Sequence, residues 1–189
     1  MFSDLVKKNR SYRRFYEDFS LKEETLLELI ELTRYTASAA NRQALRYSCT
    51  TDPKLNAQIF PQLHWAAYLS DWDGPPAGER PAGYIFLLQH ADCKPASPYD
   101  AGIAAQTILL GAAEKGLGGC ILASIEREKL KTLLKLPADM ELLLVIALGR
   151  PKEKIVIEDI EANGNIKYYR DAQGIHHVPK YKLNDLLMK

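Results

Sequence analysis

The sequence is poor in cysteine, and its cysteines form no pattern. Cys49, Cys93 and Cys120 are an odd number, and no two of them form a C-x-x-C pair. This excludes the disulfide framework that stabilises many small secreted proteins. It also leaves too few clustered ligands for zinc, so we expect no metal site. Reduced, buried thiols agree with the cytoplasmic location that we expect.

Long apolar runs and an excess of one charge are also missing. The richest apolar stretch, 142–148, is much shorter than the roughly 18–20 residues that cross a bilayer. Residues 1–8 place charges on both sides of a short apolar pair, unlike a secretory signal. The 25 Lys and Arg residues balance 24 Asp and Glu residues, giving a formal net charge of +1. We therefore expect no nucleic-acid and no membrane partner.

The 189 residues suit one hydrophobic core, so we expect a single domain over residues 1–189. Helices and strands alternate irregularly without repeated βαβ units, which favours an α+β fold. Apolar periodicity predicts strands at 45–50, 84–89, 120–123 and 142–148, and a hairpin over 166–178. Capping residues and prolines predict helices after Ser20, from Pro53, from Pro98 to near Gly116, and after Ser124.

The stretch of about residues 61–83 combines aromatic residues with several glycines and prolines. This composition predicts a turn-rich excursion that serves as a lid or substrate loop. Two alternatives are open for the aromatic residues Trp65, Tyr68 and Trp72. They contact the substrate, or they are part of the core, and each would bury a large area in either place.

The self-sufficient catalytic motifs are missing. The sequence has no G-x-S-x-G, Walker, H-E-x-x-H or strand-following G-x-G-x-x-G motif. An enzyme without these motifs depends on a bound cofactor for its reaction, and its site is then a set of binding residues. We accordingly name no catalytic side chain.

Three segments suit a phosphorylated aromatic cofactor. Residues 10–15 supply a hydroxyl and clustered guanidinium groups that could hold a phosphate and face an anionic ring. Residues 38–43 supply amide side chains able to donate to and accept from a ring edge. Residues 179–183 place two lysines on one side of an extended segment. Each segment taken alone is equally typical of a solvated surface.

Taken in order, these segments resemble the flavin-dependent nitroreductase family in its short form. The likeness covers nearly the whole chain. It starts with an arginine-serine-any-arginine motif and a nearby phenylalanine, seen as Arg10, Ser11, Arg13 and Phe15. A serine-any-any-asparagine-any-glutamine loop follows at Ser38, Asn41 and Gln43. A central helix of small residues, Asp100–Gly118, and a late pair of lysines, Lys180 and Lys182, complete it.

The resemblance implies a central, mainly antiparallel sheet flanked by helices, in an intertwined homodimer with FMN at the interface. The C-terminal segment, about 175–189, would contribute to the phosphate site and to the dimer. Arg10, Lys180 and Lys182 would contact the phosphate with Ser11 nearby, and Arg13 would lie by the pyrimidine end of the ring. Asn41 and Gln43 would meet the ribityl chain and ring edge, and the loop Leu122, Ala123, Ser124 would bring a backbone amide to the reactive ring nitrogen.

The implied activity is that of an oxidoreductase. NADH or NADPH would reduce the flavin, which would then reduce a small electron-poor acceptor such as a nitroaromatic or a quinone. A second hypothesis is a module that stores, senses or delivers FMN without turnover, because no residue is typical of an acid, base or nucleophile. A third, an α+β interaction protein, requires that no flavin binds.

Overall fold

The computed structural model describes residues 1–91, 98–160 and 164–188. Within these ranges the helices are α1 (Phe2–Lys8), α2 (Glu23–Glu31), α3 (Pro53–Ile59), α4 (Pro98–Glu114), α5 (Arg127–Leu133) and α6 (Leu183–Leu186). Short 3₁₀ helices lie at Leu32–Tyr35, Ala39–Asn41 and Phe60–Gln62. The strands are β1 (Phe15–Tyr16), β2 (Leu45–Thr50), β3 (Gly83–His90), β4 (Gly118–Leu122), β5 (Met140–Pro151), β6 (Ile155–Asp159), β7 (Tyr169–Arg170) and β8 (His176–Lys180).

Strand β5 organises the main sheet because it pairs along both edges. One edge pairs with β3, which pairs in turn with β2, and the other edge pairs with β4. The end of β5 also pairs with β1, at Arg150 and Pro151. All four pairings are antiparallel. A second sheet has the order β6-β8-β7, with β6 parallel and β7 antiparallel to β8. The predicted α+β fold with a mainly antiparallel sheet is confirmed.

The main sheet is buried on both faces, which explains why β3 and β5 are almost continuously apolar. Alternate residues of a strand point to opposite faces. Ile85 and Ile146 accordingly join a core with α2 and α4, whereas Phe86 and Val145 join a core with α3 and α5.

The small residues of α4 let this helix pack closely. Its inner face is buried at Ala104, Ala105 and Ala112. A side chain at Gly111 would collide with Leu32 and press on Leu29. The outer face is exposed, and it is the part of the helix that the core does not use.

Two predicted helix starts were wrong. Helix α2 is preceded by Lys22, and no side chain caps it, so Ser20 lies outside the helix start. Helix α5 begins at Arg127, after Glu126 and not after Ser124. The reason at Ser124 is a tertiary contact: its carbonyl accepts a hydrogen bond from the His64 amide at 3.0 Å, which keeps the chain extended there.

The stretch 61–83 consists mostly of turns, and it separates the three aromatic residues. Trp65 is buried in the core, where a side chain at Gly74 would press against its ring. Tyr68 is 47% exposed, and Trp72 is partly buried against the core. The core alternative therefore holds for Trp65, whereas a role as substrate loop stays a prediction.

Cys49 and Cys120 are free thiols, and Cys93 lies outside the described residues. Among the residues that the structure describes, no group of three or more His, Cys, Asp or Glu side chains could hold a metal ion. In the same ranges, no helix has the length and apolar character needed to span a bilayer.

Candidate functional site

Residues 10–13 run along the edge of strand β4. Ser11 forms a parallel bridge with Gly119, and the Tyr12 amide donates to the Gly119 carbonyl at 3.0 Å. The glycines of β4 make this approach possible: a side chain at Gly118 would collide with the Tyr12 ring, and one at Gly119 would collide with the carbonyl of Ala147. The Gly118-Gly119 pair therefore has a packing role.

This segment opens onto a cleft of about 320 Å³ between the two sheets. Its lining includes Arg10, Ser11, Arg13, Tyr168, His176 and Lys180. Arg10 donates from Nη2 to the Val6 carbonyl at 2.9 Å. The Nε atoms of Arg10 and Arg13 are buried without a hydrogen-bond partner in the described structure. The cleft thus contains basic side chains, and the Nε donors of Arg10 and Arg13 have no acceptor among the described residues.

The Arg13 side chain is contacted by His176 of β8 and by Tyr168, which directly precedes β7. Its Nη1 lies 3.3 Å from Nε2 of His176, and its Cζ lies 4.8 Å from the centroid of the Tyr168 ring. Nη1 also lies 3.3 Å from the carbonyl oxygen of Ser11. Because a guanidinium group only donates, Nε2 of His176 accepts and the proton of the neutral ring is on Nδ1.

The environment of His176 keeps its ring neutral. Burial lowers the pKa of His176 to about 4, and the positive charges of Arg13 and Arg170 add to the effect, as does His177. The residue is 1% exposed, and Nδ1 has no partner in the described residues.

Glu153 organises the backbone behind the cleft. Its carboxylate accepts from the amides of Arg13 and Arg14, the latter at 3.2 Å, and from Arg170 Nη2 at 3.2 Å. The Arg14 side chain turns away and pairs with Glu79. These bonds with Arg14 and Lys152 lower the pKa of Glu79 to about 2, the Arg14 bond having the largest effect. Of the two adjacent arginines, Arg14 pairs with Glu79, whereas Arg13 lines the cleft.

Asn41 and Gln43 lie in a different cleft, of about 250 Å³, beside the start of α4. Ala40, Asn41 and Gln43 all have φ near +50°, a conformation that costs energy for residues other than glycine. The buried Asp100 carboxylate holds this loop by accepting from the Ser38 hydroxyl at 2.9 Å and from the Ala39 amide. The two clefts share no lining residue, so one chain does not bring all the predicted residues together.

The remaining predicted residues lie outside the lining of both clefts. Lys182 follows β8, and its Nζ lies 3.8 Å from Asp159. Leu122 is buried in the core, whereas Ala123 and Ser124 are exposed. The Ala123 carbonyl accepts from Arg127 Nη2 at 3.0 Å. Of Lys180 and Lys182, the first lines the cleft and the second does not.

Sequence analysis missed His176, Tyr168 and Glu153. Alternation along the predicted hairpin over 166–178 could have placed His176 and Tyr168 on one face of it. Nothing local indicates Glu153, whose contact with the Arg13 amide joins residues 140 positions apart.

The chain is similar to known proteins in sequence and in fold. Residues 76–150 match the model of the nitroreductase family. Protein DrgA of Synechocystis sp. is 25% identical over 176 residues, covering 79% of this chain and 84% of that protein.

Solved structures match over most of the chain. A nitroreductase family protein from Clostridium novyi NT superposes with a TM-score of 0.67 at 23% identity, covering 80% of this chain and 87% of its own. An FMN-dependent nitroreductase from Clostridium difficile R20291 gives a TM-score of 0.65 at 19% identity, covering 79% and 87%. The resemblance to the nitroreductase family is confirmed by the family match, and the fold by the structures.

Proposed function

For a chain with the nitroreductase fold and a match to that family over residues 76–150, we propose an FMN-dependent oxidoreductase. NADH or NADPH is the proposed electron donor, and an electron-poor small molecule such as a nitroaromatic or a quinone is the acceptor. The observation that carries the proposal is the cleft that joins Arg10, Ser11, Arg13 and Lys180. The buried Nε atoms of both arginines have no hydrogen-bond partner among the residues that the structure describes. The relatives support the cofactor, since one of them is described as FMN-dependent.

The residues of the first cleft fit FMN by their chemistry. Arg10 and Lys180 would bind the phosphate through charge-assisted hydrogen bonds, with the Ser11 hydroxyl beside them. Arg13 would face the pyrimidine end of the ring, where a fixed positive charge stabilises negative charge that develops on reduction. Bound FMN would supply the redox chemistry, taking up a hydride from the nicotinamide and returning two electrons to the acceptor.

The second cleft is proposed to complete the site from a partner chain. Asn41 and Gln43 of one protomer would then meet the ribityl chain and ring edge of the FMN held by Arg10 and Arg13 of the other. Leu122, Ala123 and Ser124 stay proposed as the loop whose backbone amide approaches the ring, and Lys182 as an additional phosphate contact.

Exposed apolar side chains support a homodimer. On the outer face of α4, Tyr99 is 80% exposed and Ile103 is 39% exposed. On α1, Phe2 is 72% exposed, and in the C-terminal helix Leu183 and Leu186 are 69% and 64% exposed. A second copy of the chain would bury these groups, and we propose that residues 175–189 extend onto it.

A non-catalytic FMN carrier is the alternative, favoured by one observation. Among the described residues that line the first cleft there is no Asp, Glu or Cys. A protein that only holds FMN needs no such group, but neither does an enzyme whose cofactor performs the reaction.

Two measurements test the proposal. FMN and riboflavin binding are compared by quenching of flavin fluorescence, and FMN should bind much more tightly because riboflavin lacks the phosphate that Arg10 and Lys180 recognise. Oxidation of NADH and of NADPH is then followed with catalytic amounts of the holoprotein and a quinone or nitroaromatic acceptor. Turnover supports the oxidoreductase, tight FMN without turnover supports the carrier, and absence of FMN binding contradicts both.

A further inference from the structure

We propose that His176 and Tyr168 are positioning residues for Arg13, which they aim into the cleft so that its charge favours the reduced form of the bound flavin. The inference rests on the proposed FMN site. It adds His176 of β8 and Tyr168, which directly precedes β7, to the residues 10–13 and 38–43 that the sequence motifs propose for the flavin.

The first step is geometric. The Arg13 guanidinium has His176 at its Nη1, at 3.3 Å, and the Tyr168 ring against its face, at 4.8 Å from Cζ. The Tyr168 and His176 rings lie 5.2 Å apart at 47°, so the two contacts form one connected wall. The Arg13 backbone is fixed separately, since its amide donates to Glu153. Backbone and side chain of Arg13 are therefore both oriented, and within the described ranges its buried Nε has no hydrogen-bond partner.

The second step is the protonation state of His176. Only the neutral ring has a lone pair at Nε2 to accept from Arg13, and a charged ring would repel the guanidinium. The surroundings favour the neutral ring. Burial and the positive charges of Arg13, Arg170 and His177 lower the pKa of His176 to about 4. The nearby carboxylate of Glu153 accepts a hydrogen bond from Arg170. The contact with Arg13 is thus constant across the neutral pH range.

The third step is that the wall is itself supported. The Tyr168 hydroxyl accepts from the Tyr68 amide at 3.3 Å, and the two tyrosine rings lie 5.0 Å apart. His176 belongs to β8, where it pairs with Ile155 of β6 and Arg170 of β7. The wall is held by a sheet on one side and by the 61–83 stretch on the other.

The consequence concerns the reduction potential of the flavin. A cation that is already aimed at the site of developing charge stabilises the product without reorganisation, and a freely rotating one does so less. His176 and Tyr168 touch Arg13 and act through it. Their loss should weaken the binding of reduced FMN more than that of oxidised FMN.

The neighbouring histidine provides a matched control. His177 points to the other side of β8, where its ring nitrogens lie 3.0 Å from Glu158 and 3.1 Å from Asp171 and its ring stacks on Tyr169. His176→Phe removes the acceptor for Arg13, and His176→Gln retains one. His177→Phe and His177→Gln make the same changes away from Arg13. Tyr168→Leu removes the other contact of Arg13, and it replaces His176→Phe in the test if that variant does not fold.

The experiment measures the midpoint potential of bound FMN and the dissociation constant of oxidised FMN for each variant. We expect reduced FMN to lose about tenfold more affinity than oxidised FMN in His176→Phe, equivalent to a two-electron potential lower by ~30 mV. His176→Gln should recover most of the shift, and both His177 variants should match the wild type. A second readout needs no cofactor: NMR of the apoprotein should show a neutral His176 ring that carries its proton on Nδ1 at pH 7.

Unchanged potentials in both His176→Phe and Tyr168→Leu, with FMN still bound, would overturn the inference and leave the proposed function standing. A charged His176 ring in the apoprotein at pH 7 would also overturn it. Failure of the wild-type protein to bind FMN would instead contradict the proposed function itself.

Discussion

The buried carboxylate of Asp100, in the first turn of α4, accepts a hydrogen bond from the Ser38 hydroxyl at 2.9 Å. The bond joins the strained 38–43 loop to α4, so the loop geometry depends on a residue outside the loop. Asp100 also lies where the helix dipole favours a negative charge.

Asp100→Ala should therefore destabilise the protein and loosen the loop that carries Asn41 and Gln43. Loss of charge-assisted bonds to a buried acceptor corresponds to about 1.5–3 kcal/mol in the free energy of unfolding. Urea denaturation measures the effect, and weaker FMN binding should accompany it. Glu114→Ala, at the exposed far end of the same helix, is the control and should change neither quantity measurably.

Arg10→Ala and Lys180→Ala should each weaken FMN binding by about 1.5–3 kcal/mol, if both residues bind the phosphate. Riboflavin binding should change little, because riboflavin has no phosphate. Lys182→Ala should cost less than Lys180→Ala, since Lys182 lies outside the cleft beside Asp159. Equal losses for FMN and riboflavin would show that the phosphate lies elsewhere.

Local signals predicted those parts of the fold that depend on local physics. Alternation predicted β2, a continuous apolar run predicted β5, and Asp52 before Pro53 predicted the start of α3, where the Asp52 side chain accepts from the Lys54 amide. The prediction failed at Ser20, because α2 starts after Lys22 without a side-chain cap. It failed at Ser124, because a hydrogen bond from the His64 amide holds the chain outside the helix there.

The candidate site was predicted only as separate segments. Arg10, Ser11, Arg13 and Lys180 do come together, but Asn41 and Gln43 line a different cleft. The parallel pairing of β6 with β8, which places His176 beside Arg13, joins segments about 20 residues apart and has no local signature. The arginine-serine-any-arginine motif did point to Arg13 rather than the adjacent Arg14, and Arg13 is the one that lines the first cleft.

Glu79→Gln should lower the stability of the protein most clearly at neutral pH. The pKa of Glu79 is lowered to about 2 by Arg14 and Lys152, so its charged form stabilises the fold above the ordinary carboxyl pKa of 4.5. That contribution is lost progressively as the pH falls from 4.5 through about 2, and the variant should lack this part of the acid dependence. Thermal unfolding between pH 2 and pH 7 measures it. The exposed Glu114→Gln serves as control and should follow the wild-type profile closely.

His176 should produce a pH dependence in a different range. Its pKa is about 4 in the folded protein and 6.5 when unperturbed, so the unfolded chain binds more protons between these values. Stability should accordingly fall as the pH drops from 6.5 to 4 and should be independent of this group above 6.5. His176→Gln should flatten the profile between pH 4 and 6.5, and a profile identical to that of the wild type would contradict the assignment.

Ile103→Lys should dissociate the proposed homodimer. Ile103 lies in the middle of the exposed face of α4, and a charge buried there without a partner would oppose association. Light scattering after size-exclusion chromatography measures the mass, and FMN affinity should fall with dissociation. Leu27 of α2 is 52% exposed, and Leu27→Lys is the control for added surface charge. This variant should remain dimeric. A wild-type protein that is monomeric and still binds FMN fully would refute the two-chain site.

The most direct test of the central claim is the visible absorption spectrum of the holoprotein during anaerobic addition of NADH and, separately, of NADPH. The proposed function predicts a bound flavin band that one or both donors bleach and that a quinone or nitroaromatic acceptor restores. A bound flavin that neither donor reduces, or a protein that takes up no FMN, would contradict the account.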